Sequence, residues 1–205
     1  TVTILKALEL VSSAKVKNEA SVLSSLEDMG ASLETVVAIL RRMPEQCSIN
    51  VYYNKVRPWI MLFENVVYEG VEEFNGLPQS FRGETGAQSS IMPLLEATLG
   101  LKHNESVLTQ HLQTMRLYMP PKHRALIEEV ERISEVKYFI VKSGSKILKD
   151  RYNYCLEKIF EFRDIHLGYA HSYIHQKTSD PRGTGGTIFM PWLEQMRNET
   201  QELFL

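Results

Sequence analysis

Between Gly144 and the segment 178–187 the chain carries no proline and only one glycine, Gly168. No other feature limits the fold as tightly. A run of that length, with apolar residues three or four apart, has one regular solution, a long α-helix. Leu148, Tyr152, Cys155, Ile159, Phe162, His166, Ala170 and Tyr173 follow that spacing and form one stripe. All but His166 are apolar or aromatic, so the stripe is predicted to face a core and to carry His166 inward with it. Glu157, Asp164, His171 and His175 recur on a more polar face.

The rest of the chain has to pack around that helix, and its period is helical nearly throughout. "TVTILKALELVSSAK" reads as a first helix. "SVLSSLEDMGASLETVVAILRRM" reads as a second, expected in two pieces around Gly30 and stopped by Pro44. "INVYYNKVRPWIMLF" has strand propensity, but its neighbours favour helix, with a bend at Pro58. Residues 68–86 hold four of the eleven glycines and are predicted to form a long structured loop, a feature often functional in compact domains. Further helices are expected up to Gly100, from "SVLTQHLQTMRLYM" to Pro120, from Pro121 through "KHRALIEEVERI", over "EVKYFIVKS", and over "FMPWLEQMRNETQELF". No strand pair, hairpin signal or internal repeat is legible. The predicted class is all-α, a helical bundle-like domain over residues 1–205 with a glycine-rich loop at 178–187. The helical pattern is already under way at Thr1, so a preceding segment is expected.

With 23 basic and 25 acidic residues the net charge is −2, which gives no electrostatic case for nucleic acid or an anionic membrane. There is no membrane-length apolar run and no leader pattern. Cys47 and Cys155 form no CxxC and are too few for a disulfide framework. A reducing, cytoplasmic setting is expected, and the N-x-[ST] triplets at Asn104 and Asn198 read as chance matches.

His171 and His175 are spaced as an i,i+4 metal pair, but no HExxH glutamate or third ligand accompanies them. For His166 the spacing leaves two readings open. One is a core histidine hydrogen-bonded to a neighbouring helix. The other is a proximal haem ligand, which needs one imidazole and a wide dry slot. Arg163, three residues earlier, would suit a haem propionate.

Three blocks in order, "YEGV…FRGETGAQSS", "MRLYMPPKHRALIEEVE" and "FRDIHLGYAHSYI" followed by "KTSDPRGTGGT", resemble the indoleamine 2,3-dioxygenase family. The resemblance is good over about residues 50–203 and looser over 1–49. It implies a helical domain that binds haem b and oxidises L-tryptophan, or a related indole, with O₂ to N-formylkynurenine. His166 falls at the family's proximal iron ligand and Arg163 at a propionate partner. Glu96 falls at an acidic position that would fix the imidazole and tune the iron. Arg57, in "VYYNKVR", matches the arginine that holds the substrate carboxylate. Tyr52 and Tyr53 match distal aromatics. Thr85, Gly86 and Ala87 match the small-residue loop of the distal pocket, and Thr184 a mobile loop that closes over substrate. "MPPKHR" is assigned only a helix-capping role, and no side chain is assigned as general acid or base.

Two departures accompany the resemblance. Animal members carry phenylalanine where Tyr52 and Tyr53 stand, so two extra hydroxyls make a wetter distal pocket. The family's smaller N-terminal domain, which roofs that pocket, has no counterpart here and is expected as a missing partner. The alternative functions on the same residues are a non-enzymatic O₂-binding or haem-sensing protein, and a haem-free helical interaction module.

Overall fold

Helices α1 (Val2–Val16) and α2 (Glu19–Arg41) open the chain. Lys17, in the left-handed region at φ 58°, turns the backbone between them, and the Asn18 side chain accepts from the Ser21 N–H to cap α2. The computed structural model describes residues 1–178 and 182–205. In it α2 runs unbroken through Gly30, where two pieces were expected. Gly30 is there for space. A Cβ at that position would lie 2.9 Å from Cδ1 of the Tyr154 ring, so the glycine admits a neighbouring helix instead of ending its own.

Short helices α3 (Met43–Gln46) and α4 (Ile49–Val51) follow. The chain then passes through a π-helical turn, Tyr52–Val56, and a 3₁₀ turn, Arg57–Trp59, that contains Pro58. The aromatic segment is therefore helical as far as Trp59, in irregular turns, while its end, predicted helical too, leaves the helix and Phe63 enters a strand. Strands β1 (Phe63–Val66) and β2 (Gln79–Phe81) pair antiparallel, with Phe63 opposite Phe81 and Val66 opposite Gln79. This small ribbon corrects the expectation of no strand pair. The long connection between its strands, with Tyr68 packed on Phe74 and Phe81, carries no tight-turn signal from which a hairpin could be read.

Helix α5 (Ile91–Leu99) ends at Gly100, whose φ of 67° is the left-handed cap expected there. Helix α6 (Val107–Met115) is closed by a capping box between Ser106 and Thr109. Helix α7 (Pro121–Ile133) begins on its proline, and α8 (Val136–Ser143) ends at Gly144. The predicted rod is α9 (Lys146–Tyr173), and α10 (Met190–Glu202) closes the chain.

Helix α9 packs against α2 and α10, while α1 packs against α2, α5 and α8. Leu10, Leu26, Met29, Leu95, Leu99, Leu148, Tyr152, Leu156 and Ile159 form the shared core. The Tyr152 hydroxyl donates to the Leu99 carbonyl at 2.9 Å, which satisfies the one polar atom that side chain brings inside. Cys155 is buried and its thiol is pushed up to about 12 by burial, which keeps it protonated. It and Cys47 are both free. Among the described residues no helix is long and apolar enough to cross a membrane.

The α9 stripe holds for Leu148, Tyr152, Cys155, Ile159, Ala170 and Tyr173, which are buried. It fails at its centre. Phe162 is half-buried and His166 is exposed, while Arg163 and Leu167 turn inward. The covering partner is the cause. Toward the C-terminal half of α9 the inward face is claimed by α10, which receives Arg163, and His166 is left exposed.

Truncating Leu26 to Ala should cost about 3 kcal/mol by cavity formation. Tyr152→Phe should cost about 1 kcal/mol through the stranded Leu99 carbonyl. Urea-unfolding midpoints measure both, and equal losses would mean that the core is not packed as described.

Candidate functional site

His166 makes no hydrogen bond among the described residues; its recorded neighbour is the Phe162 ring, centroids 6.4 Å apart. Although the side chain is exposed, burial by surrounding protein pulls its pKa below the ordinary histidine value. The lowered pKa favours the neutral imidazole, and its ring nitrogens have no hydrogen bond among the described residues. The hydrogen-bonded core histidine allowed by the spacing is not what forms.

Arg163, one turn earlier, is turned inward. It is 8% exposed, and its guanidinium is held on three sides. Nη1 donates to the Met196 carbonyl at 3.0 Å and to the Thr200 hydroxyl, and Nη2 pairs with the Glu96 carboxylate. Only Nε has no recorded partner. Glu96 does not bond to His166. Its carboxylate is shared between Arg163 and His103, whose Nε2 lies 3.3 Å away. Burial raises the Glu96 pKa, but His103 and Arg163 outweigh it and hold the group below the usual carboxylate range.

A second constellation forms where three distant segments cross. The π-helical turn and the proline after it aim Arg57 inward, where it is buried. Its Nη2 donates to the Arg182 carbonyl at 2.7 Å and its Nη1 to the Met61 sulfur at 3.2 Å, and its guanidinium lies 5.6 Å from the Tyr53 ring centre. Nε is sealed from solvent without a partner, and no carboxylate pairs with this cation among the described residues. A buried guanidinium with only neutral neighbours is poised for an anion. Tyr52 packs edge-on against Tyr173, centroids 5.8 Å apart, docking the π turn to the end of α9, and burial raises its pKa.

The predicted distal loop and glycine-rich loop meet here. Thr85 caps the turn Gly86–Gln88 by accepting from the Ala87 N–H. The Thr184 hydroxyl donates to the Glu84 carbonyl, and Arg82 Nη1 to the Gly185 carbonyl at 2.9 Å. Gly185 packs beside Thr85, where a Cβ would meet its methyl group in ordinary contact at 3.4 Å. Thr184 is thus buried and clamped over the 82–87 segment. Residues 179–181 of the expected loop lie outside the described residues.

His171 and His175 were expected to be polar-face residues, yet Nε2 of His171 is buried without a hydrogen-bond partner. Their rings are 5.4 Å apart, but α9 ends at Tyr173, so His175 leaves the helix. No group of three metal-capable side chains occurs among the described residues. Gly83, Arg82, His103 and Glu199 escaped the sequence reading. Gly83 lay inside "FRGETG" but was not singled out, and His103 carries no local signal at all.

The indoleamine 2,3-dioxygenase family model matches residues 1–180. Similar proteins include an indoleamine 2,3-dioxygenase 1 of Rattus norvegicus, 31% identical over 98% of this chain and 55% of the relative. An indoleamine 2,3-dioxygenase of Saccharomyces cerevisiae is 27% identical over 90% of this chain and 51% of its own length. A 6-hydroxytryptophan 2,3-dioxygenase of Fusarium equiseti is 28% identical over 95% and 55% respectively. The chain spans about half the length of these relatives.

Gly83 offers the direct check on the crossing. A Cβ there would meet the Thr184 carbonyl oxygen at 2.3 Å, the Ile60 oxygen at 2.4 Å and the Met61 carbonyl carbon at 2.5 Å, all backbone atoms with nowhere to go. Gly83→Ala should release the 182–187 loop. Amide exchange at Gly183 and Gly186 should speed up by about 10-fold or more, with the α2 and α9 amides unchanged. Unchanged loop protection would contradict this packing.

Proposed function

The chain belongs to the indoleamine 2,3-dioxygenase family, and we propose that it forms the haem-binding part of a dioxygenase that cleaves the indole C2–C3 bond of L-tryptophan, or a related indole, with O₂. Arg57 carries this reading: a buried cation beside an aromatic ring, with a sealed, unpartnered Nε and no carboxylate of its own among the described residues. An amino-acid substrate brings a carboxylate for the guanidinium and an indole for the aromatic wall.

The residues present fit haem. His166 offers a neutral imidazole with no hydrogen bond among the described residues, and would hold the iron. Arg163 keeps one free donor, Nε, for a propionate, while Glu96 anchors the guanidinium and so acts on His166 only through the helix. When bound, haem supplies the redox chemistry with O₂ that opens the indole ring.

The protein's part is position and dryness. Arg57 fixes the carboxylate end of the substrate. Tyr53 lies against Arg57 and Tyr52 against α9, so both form the aromatic side of the pocket. Thr184, held on the Glu84 carbonyl, keeps the glycine-rich loop closed over the 82–87 segment and limits water. No acid or base is assigned among the side chains.

The haem-loaded chain, supplied with reductant, O₂ and L-tryptophan, should release N-formylkynurenine. Arg57→Ala should weaken tryptophan binding about 10- to 100-fold, the worth of a charge-assisted contact, with the haem spectrum unchanged. Stable O₂ binding without product would favour an oxygen carrier or sensor. An Arg57→Ala change that removed haem but spared tryptophan binding would overturn the assignment.

A further inference from the structure

His103 sits on the loop between α5 and α6, outside every motif above, yet it occupies the middle of the most buried charge cluster in the described residues. Its side chain is 11% exposed, and those of Glu96 and Glu199 are 15% and 14%. Nδ1 meets Glu199 Oε2 at 2.6 Å and Nε2 lies 3.3 Å from Glu96 Oε1. The second contact is an ion contact without hydrogen-bond alignment, since Nε2 has no such partner. Glu199 is further held by Gln195 Nε2 at 2.7 Å. Three elements face the ring with charge: α5 through Glu96, α10 through Glu199 and α9 through Arg163. Arg116, the next cation felt by Glu96, is itself paired with Glu131.

We propose that His103 is a positioning residue, an imidazolium clasp that bridges Glu96 and Glu199 and thereby holds Arg163, and the turn of α9 leading to His166, in register with α10. Charge counting gives the reason. With His103 protonated the cluster holds two cations and two carboxylates. With His103 neutral it holds Arg163 alone against two buried carboxylates, and one carboxylate is left without a counter-charge, which is costly in a site this dry. Arg163 is then drawn harder onto Glu96 and is less available at Nε.

The direction of titration agrees. Burial pulls the His103 pKa down, and Arg163 repels it, but the two carboxylates outweigh both and hold it above the ordinary histidine value. A pKa raised by folding stabilises the folded state fully below the unfolded value, and that stability is lost as pH rises through the folded pKa. The clasp therefore closes at lower pH and opens toward alkaline pH. The clasp rests on its own contacts; its consequence for haem rests on the function proposed above.

The test uses NMR on the chain without haem, following the His103 imidazole and the Arg163 Nε–H against pH. His103 should titrate above an ordinary histidine, and the Arg163 signal should inflect at the same midpoint. In His103→Gln, which keeps a polar side chain but cannot become a cation, that inflection should vanish. In Glu199→Gln it should move to lower pH, a second route if the first variant folds poorly. A His103 that titrates at or below the ordinary value, or an Arg163 signal that ignores it in the wild-type chain, would overturn the clasp. A separate haem measurement keeps the two ideas apart. If haem binds, His103→Gln should lose it about 10-fold faster, as for other supports of a metal ligand, and an unchanged loss rate would overturn the link to His166. If no haem binds, the dioxygenase reading falls and the NMR result still decides the clasp.

Discussion

A guanidinium inside a helical bundle has to be answered, and the C-terminal half of this fold is arranged around answering Arg163. Glu96 arrives from α5, the Met196 carbonyl and Thr200 hydroxyl from α10, and His103 with Glu199 close the set. Removing one partner from such a cluster strands a buried charge at a cost of several kcal/mol. The cluster therefore sets the rotation of α9. With Arg163 turned toward α10, Leu167 one turn on is buried beside it, while His166, at the edge of that face, is exposed.

Seen this way, the two halves of the site have opposite characters. The α9 side is satisfied: nearly every donor of Arg163 is used, and the one group left over is an imidazole. The Arg57 side is deliberately short of an anion, with its guanidinium resting on a carbonyl, a sulfur and a ring. The loop from 182 to 187 joins the Arg57 side. Its backbone is gripped by Arg57 at Arg182 and by Arg82 at Gly185, so on the proposed function the cation meant for the substrate carboxylate also tethers this loop.

Much of this was legible in the sequence, for physical reasons that differ from residue to residue. The long α9 followed from periodicity and from the absence of proline, and Gly100 from its place after an apolar run. Gly30 misled because glycine in a helix marks either a break or a close approach, and only the position of Tyr154 decides between them. The β ribbon was hidden because its strands are short and joined by a long connection. His166 was assigned to the core because a stripe three or four residues apart describes a helix, not what lies opposite each of its turns; α10 decided that. His103 could not be found at all. Its role depends on Glu96 and Glu199, the latter 96 positions away along the chain, and no local pattern reports a meeting of that kind.

The central claim is the proposal that His166 is the histidine that holds a haem iron. The most direct measurement is the Soret band on adding haem to the wild-type chain and to His166→Ala, His171→Ala and His175→Ala. The band should form in the wild type and in the His171 and His175 variants and be lost in His166→Ala. A band that survives in His166→Ala, or that disappears with His175, would contradict the account.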